Sequence, residues 1–487
     1  MANNVENPIT AILIGAGSRG LYVYGDYAIK NPEKLQFVAV AEPKKSRRDE
    51  FAKLHHLSSE YCFKTWEDLI KEGKIAQVAF ICTPDQLHIE PTLKALDTGY
   101  DVLLEKPMAH TLMGCIQVVK KAEEKEKILG VGHVLRYTSF FSTIYETIQN
   151  GLLGEIINIT HRENVTWYHM AHSFVRGNWR NAQSSSPMIL QKCCHDLDLL
   201  YWMVNSMAKK VSSFGSLSHF RSENAPKGAP NYCVEGCPIQ DTCLYFAPRI
   251  YVNLTPIIQL LEKSEIKFYN FIAKLRKNYF TLYKGLSKVI PSLKYLIHYR
   301  DWPVEPLYSG LPEEMTKDYS DQAKLRILKT SPYGRCVYKC DNNVVDHQIV
   351  NIEFENGVTA NLSMHGFSER EGRTLRIDGT KATLIGDFYE SGEKIILYDH
   401  LSGGKKLLFA QKFSPETVVH GGGDFLLIDA FLKTLQDKEN PLPLTNARES
   451  LESHLMAFAA DESRLKEIVI DMNKYRKESE KDSLSKF

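Results

Sequence analysis

The chain has 487 residues, with 60 Lys and Arg against 59 Asp and Glu, for a net charge of +1. That balance argues against a globally basic nucleic-acid binder and against an acidic disordered chain, and no uninterrupted apolar run reaches the ~18 residues of a membrane span. At roughly 150 residues per domain the length predicts two to three domains, with enough core to need no disulfides.

The first eight residues, Met-Ala-Asn-Asn-Val-Glu-Asn-Pro, show neither a basic n-region nor an apolar h-region, so a cytoplasmic protein is expected. Thr10–Ile14 is a short apolar run, the pattern of a buried parallel strand. Gly15-Ala16-Gly17-Ser18-Arg19-Gly20 follows it directly, and a helix-like segment, Leu21 to Ile29, follows that. Glycines at this spacing allow a tight turn, close approach of backbone to a pyrophosphate, and close helix–strand packing. The helix N-terminus adds N–H groups and a positive dipole end for the phosphates.

A second strand, Phe37–Ala41, ends in Glu42, 22 residues after Gly20. A carboxylate at that spacing suits the adenosine ribose 2′-hydroxyl and favours NAD over NADP. Lys44, Lys45, Arg47 and Arg48 pull the other way. Val78–Cys82 is a further buried strand leading into Thr83-Pro84-Asp85, and Pro91–Thr98 is helical up to Gly99. Asp101–Leu104 is a strand ending in Glu105-Lys106-Pro107. Strands alternating with helices at this length predict a doubly wound parallel sheet, with its ligand at the carboxyl ends of the strands. The glycine loop, Glu42, Thr83-Pro84 and Glu105-Lys106-Pro107 all fall on that edge.

The order of the glycine loop, Thr83-Pro84-Asp85-x-x-His88 and Glu105-Lys106-Pro107 resembles the Gfo/Idh/MocA oxidoreductases. Gly177-Asn178-Trp179-Arg180 and His195-Asp196-Leu197-Asp198-Leu199-Leu200 look like the substrate-side motifs of that family. Arg376–Leu384 and His420–Asp424 resemble its C-terminal signatures, so the matches run from about residue 10 to about residue 435. The resemblance implies an α/β fold: an N-terminal Rossmann domain, 1–133, and a C-terminal α/β domain, 134–445, on an open, mostly antiparallel sheet. A Cys-containing, basic helical insert is expected at about 225–320, and a C-terminal helix and tail at 446–487. It also implies a homo-oligomer, a dimer or tetramer formed through the open sheet, acting on a small carbohydrate.

The implied chemistry is reversible oxidation of a sugar, glycoside or cyclitol hydroxyl. NAD takes the hydride and the protein handles the proton. The implied cofactor residues are Gly15, Ala16, Gly17, Ser18, Arg19, Gly20, Glu42, Thr83, Pro84, His88, Glu105, Lys106 and Pro107. Lys106, at a strand end beside a cationic nicotinamide, suits acid/base work. His195 is read as opening the apolar helix Leu197–Val204, where a helix start favours neutral imidazole. Many family members carry Asp four residues before this His; here the position is Gln191, which cannot accept a proton, with Lys192 next to it. Lys192 is therefore a third catalytic candidate. His133, Arg136, Tyr137, His172, Trp179, Arg180 and Asp196 are expected to line the sugar site. Two alternatives stand beside the dehydrogenase: a glycosidase using transient oxidation and elimination with resident NAD, and a non-catalytic NAD-binding regulator or scaffold.

Cys233, Cys237 and Cys243 give C-x3-C-x5-C, a spacing that reads as a structural zinc site more readily than as a disulfide. A fourth ligand would come from Cys193, Cys194, Cys336 or Cys340. From Lys263 to Arg300 there are nine Lys or Arg and one acid, Glu265. Phe268, Tyr269, Phe271, Tyr279, Phe280, Tyr283, Tyr295 and Tyr299 are interleaved among them. The preferred reading is an oligomer-contact helix pair with snorkelling lysines, not a nucleic-acid or membrane surface.

Overall fold

The computed structural model describes residues 7–262, 267–286, 302–308, 318–389, 392–412, 420–437 and 443–484, together with 289, 311 and 315. Two sheets organise them. The first has six parallel strands, β1 (Ile9–Ile14), β2 (Leu35–Ala41), β3 (Cys62–Phe63), β4 (Val78–Ile81), β5 (Asp101–Leu104) and β6 (Leu129–Val131), in the order β3-β2-β1-β4-β5-β6. The strand order reverses between β1 and β4, the switch point at which such sheets bind ligands. β1 and β4 read as apolar runs without alternation because helices cover both faces, and Ala11, Ile12, Leu13 and all of β4 are fully buried.

The second sheet follows: β7 (Ile156–Thr166), β8 (Ala208–Ser216), β9 (His347–Phe354), β10 (Thr359–Ser368), β11 (Gly372–Gly379), β12 (Ala382–Tyr389), β13 (Gly392–Asp399), β14 (Lys405–Lys412) and β15 (Ile470–Asp471). Their order is β14-β13-β12-β11-β7-β10-β9-β8-β15, antiparallel throughout except for β7 beside β10. β9 alternates exposed and buried residues along its length, so one face packs inward and the other faces out. The expected class, a Rossmann sheet followed by an open and mostly antiparallel one, is the class observed.

The helix Met188–Val204 packs against β7 and β10 of the second sheet. It is longer than the apolar stretch alone indicated, because Met188–Cys194 is also helical. His195 therefore sits in the helix interior rather than at its start, and the end-dipole argument for its charge state does not apply. Arg136 holds this helix: its guanidinium binds Asp198 through two N–H···O bonds of 2.7 Å, with both side chains 1% exposed. The helices Gly423–Gln436 and Ala447–Lys466 return to the first sheet, where the Val131 N–H donates to the Thr445 carbonyl.

The chain between β8 and β9 forms a separate apolar cluster around Tyr168, Ile250, Tyr251, Val304, Leu307 and Tyr308. The helices Thr255–Glu262, Lys267–Asn278 and Phe280–Leu286 follow, with Phe268, Phe271 and Tyr279 exposed and Tyr283 buried. Tyr295, Tyr299 and the last three residues of the tail lie outside the described residues. Among the described residues no helix is long and apolar enough to cross a membrane.

Replacing one member of a buried ion pair strands the other. Arg136→Met is expected to cost about 3–5 kcal/mol, seen as a lowered Tm in a thermal melt. Arg136→Met/Asp198→Leu is expected to recover most of that loss, since no buried charge is then left uncompensated and Glu449, the other partner of Arg136, is exposed.

Candidate active site

The glycine loop is built for a dinucleotide. A Cβ at Gly20 would lie 2.1 Å from the Gly15 carbonyl oxygen, so the first turn of the helix can close on β1 only with glycine there. Beside Gly17 nothing lies within 4 Å of such a Cβ, leaving open space where a pyrophosphate would sit. Glu42 accepts the Ala16 N–H and the Lys44 N–H, both at 2.9 Å, which places its carboxylate across the loop at the end of β2. Each carboxylate oxygen keeps a lone pair for a ribose hydroxyl. Arg19 donates through Nε to Glu105 at 2.6 Å and pairs through Nη2 with Asp424 at 2.7 Å, while its Nη1, buried, has no hydrogen-bond partner. These residues fit a bound NAD: glycine backbone and the free guanidinium N–H for the phosphates, Glu42 for the ribose.

Glu105 and His88 act differently from expectation. Burial alone would raise the Glu105 carboxyl, but Arg19 and the Tyr24 hydroxyl, 2.7 Å away, hold it below the usual carboxylate range. Glu105 thus ties the glycine loop to the end of β5. Both ring nitrogens of His88 lie 2.7 Å from carbonyl oxygens, those of Pro107 and Thr83. His88 is a staple between the Thr83 loop and the Lys106-Pro107 loop, with neither nitrogen left over for a cofactor. Asp85, in the same loop, accepts from Ser186 at 3.1 Å, just ahead of the helix Met188–Val204.

That helix presents two faces. On one, Lys106 Nζ donates to the Gln191 carbonyl at 3.3 Å, one turn before His195. The His195 ring meets His133 edge-on at 5.5 Å, and His133 meets His454 at 5.6 Å. His133 is fully buried with no hydrogen-bond partner on either nitrogen. Burial, helped by Arg136 and Lys106, holds it well below the usual histidine range, so it stays neutral. His454 accepts the Met108 N–H at 2.9 Å, and its other nitrogen lies 2.7 Å from the Ser450 carbonyl. Lys106, His133 and His195 are the expected residues that the fold brings together at the carboxyl edge of the first sheet.

On the other face, Lys192 and Asp196 point into the second sheet. Lys192 Nζ sits 2.7 Å from Glu371 and 3.1 Å from Glu163. Burial would lower its ammonium, but the two carboxylates raise it above the ordinary lysine value. Lys192, the third catalytic candidate from sequence, is engaged by these two carboxylates. Asp196 accepts from His161 at 2.7 Å and from Arg373 at 2.8 Å. It is fully buried and orients the helix instead of lining a sugar site. Three carboxylates, Glu163, Glu371 and Asp196, share two cations. The shortfall falls on Glu163, whose carboxyl burial pushes up to about 7.

The remaining substrate candidates each have a partner within the chain. Arg136 is spent on Asp198, and the Tyr137 hydroxyl meets Thr445 at 3.2 Å. His172 is buried at 3.0 Å from the Tyr251 hydroxyl and stacks on Tyr333. Trp179 packs on Phe174, and Arg180 pairs with Asp341 at 3.0 Å. Glu163, Glu371, Arg373 and His454 were missed from sequence, because each is recruited from a strand or helix far along the chain.

The zinc expectation fails too. Among the described residues no group of three or more His, Cys, Asp or Glu is placed to hold a metal ion. Cys233, Cys237 and Cys243 line one crevice with Cys336, Pro230, Tyr245 and Phe246. All ten cysteines are free. Arg176 crosses this crevice, donating to the Arg335 and Tyr245 carbonyls at 2.8 Å and to Cys233 Sγ at 3.6 Å. The thiols pack an insert whose polar anchor is Arg176.

Two family models match the chain: the oxidoreductase family with an NAD-binding Rossmann fold over residues 9–133, and the C-terminal alpha/beta domain of that family over residues 145–246. The chain belongs to this family, the Gfo/Idh/MocA oxidoreductases. It is 22% identical over 407 residues, 80% of each chain, to YteT of Bacillus subtilis, a protein named as an oxidoreductase. It is 29% identical over 160 residues to the D-glucoside 3-dehydrogenase of Escherichia coli, a match spanning 32% of this chain and 44% of that one. In three dimensions it is similar to an oxidoreductase from Agrobacterium radiobacter solved with NAD+, L-tartaric acid and magnesium. The TM-score is 0.62 at 12% identity, covering 96% of this chain and 99% of that one.

Without Lys192, Glu163 would keep only Arg373, which Asp196 already shares, and its carboxyl would bind a proton more tightly folded than unfolded. Such groups favour the folded state at low pH and withdraw that support as pH rises. The Tm deficit of Lys192→Met against the natural chain is therefore expected to widen from about pH 5 to about pH 8. A deficit flat across that range would contradict the shared-cation account.

Proposed function

We propose that the protein is an NAD(H)-dependent oxidoreductase that moves a hydride between the nicotinamide and a hydroxyl-bearing carbon of a sugar, glycoside or cyclitol. The observation that carries this is the meeting of Lys106 with the His195 helix, through the Gln191 carbonyl, at the edge where the glycine loop opens. NAD, when bound, supplies the hydride acceptor. Lys106 Nζ donates to the substrate oxygen and holds it as its charge changes, and His195 takes the hydroxyl proton. Gln191 cannot accept that proton, so the task falls to these two side chains. His133, neutral and buried, packs its ring against His195. Glu42 favours NAD over NADP by placing a carboxylate where a 2′-phosphate would go. The substrate class is supported by the sugar-linked name of the Escherichia coli relative.

We read the outward face of the second sheet as a subunit contact of a homo-oligomer, because Phe214 and Ile349, paired across β8 and β9, are 66% and 40% exposed.

Purified protein with NAD and a panel of sugars, cyclitols and aryl glycosides is expected to accumulate NADH on one ligand class, followed by its absorbance. Lys106→Ala and His195→Ala are each expected to lower turnover by about 10²–10⁴ while NADH binding, read by fluorescence, persists. Aglycone release without NADH would instead indicate a redox-assisted glycosidase. Binding without turnover would indicate a regulator.

A further inference from the structure

The four basic residues after Glu42 stand where a 2′-phosphate would arrive, and an arginine in that position is the usual means of accepting one. Three of them are already engaged. Lys45 pairs with Asp49. Arg48 Nη1 donates to the Glu42 carbonyl at 2.6 Å. Arg47 Nη2 pairs with Glu305 at 2.6 Å, with the two side chains 28% and 27% exposed. Glu305 comes from the chain between β8 and β9, 258 residues away. It is not on a loose loop. Val304, Leu307 and Tyr308 beside it are buried in the apolar cluster with Tyr168 and Tyr251.

We propose that Glu305 is a cofactor-specificity residue: a carboxylate delivered by the insert to neutralise Arg47 and so exclude a 2′-phosphorylated dinucleotide. The inference rests on the dinucleotide reading above and adds to it a wall of the adenosine site that the Rossmann sheet does not contain. A 2′-phosphate entering here would meet Glu42 on one side and would have to displace Glu305 from Arg47 on the other. Each step sets negative charge against negative charge at an edge only partly reached by water. A ribose hydroxyl meets neither obstacle and can donate to Glu42.

The test is direct binding of NADH and NADPH to the full chain, followed by nicotinamide fluorescence without substrate. The natural chain is expected to prefer NADH. Glu305→Gln frees Arg47 and is expected to raise NADPH affinity relative to NADH by about tenfold. That gain should shrink at high salt and disappear in Arg47→Ala/Glu305→Gln. Arg47→Ala alone, which leaves the insert carboxylate unneutralised, is expected to give no gain in NADPH affinity relative to NADH. An unchanged ratio in Glu305→Gln with NADH still bound would overturn the proposal alone. So would a gain that survives loss of Arg47, or an Arg47→Ala chain that by itself gains NADPH affinity. A natural chain that binds neither dinucleotide would overturn the oxidoreductase reading and this inference with it.

Discussion

Two aspartates on the helix Met188–Val204 set the geometry of everything around them. Asp196 and Asp198 are two residues apart and both buried, and each is neutralised by an arginine from a different part of the chain: Arg373 of β11 for one, Arg136 after β6 for the other. A buried carboxylate is tolerated only with such a partner. The helix therefore has one rotation at which both are satisfied. That rotation turns Lys192 into the second sheet, brings the Gln191 carbonyl to Lys106 and sets the His195 ring against His133. The candidate chemistry depends on this double constraint more than on any contact within the site.

The first sheet was legible because its determinants are local. Apolar runs, the glycine triplet and the acid at Glu42 lie close together in sequence, and β1, β2, β4 and β5 fall where those patterns put them. The open sheet was legible only through family resemblance, since its strands are separated by up to the whole insert. Within the site, Lys106 and His195 could be picked out because each lies in a motif, whereas His133 was expected only as one of several polar residues of the sugar site. Lys192, Arg136, Asp196, His172 and Arg180 looked equally functional as residue types. Their partners, Glu163, Asp198, Arg373, Tyr251 and Asp341, engage them only in the fold, and tertiary pairing of that kind leaves no trace in local spacing. The cysteines misled for the same reason: a tight spacing suggested ligands, whereas Arg176 and apolar neighbours occupy the crevice they share.

The ionic layer between the helix and the second sheet carries more negative than positive groups. Its shortfall is absorbed at Glu163, the one carboxylate among them that burial lifts toward neutrality. Lys192 beside the absent acid at position 191 is thus part of the scaffold. Gln191 carries no carboxylate, and its neighbour Lys192 is engaged by Glu163 and Glu371.

The Rossmann sheet is complete by Val131, yet several of its polar groups find partners only at the far end of the chain. Val131 and Thr445, linked by hydrogen bonds, are 314 residues apart. Arg19 waits for Asp424, Tyr27 for Asp429, and the Met108 N–H for His454. On a ribosome adding about 5–20 residues per second, that interval lasts roughly 15–60 seconds. Through it the nascent module exposes a finished sheet with its glycine loop anchored on one side only. The second anchor of that loop is therefore a property of the finished polypeptide, set only when Asp424 reaches Arg19.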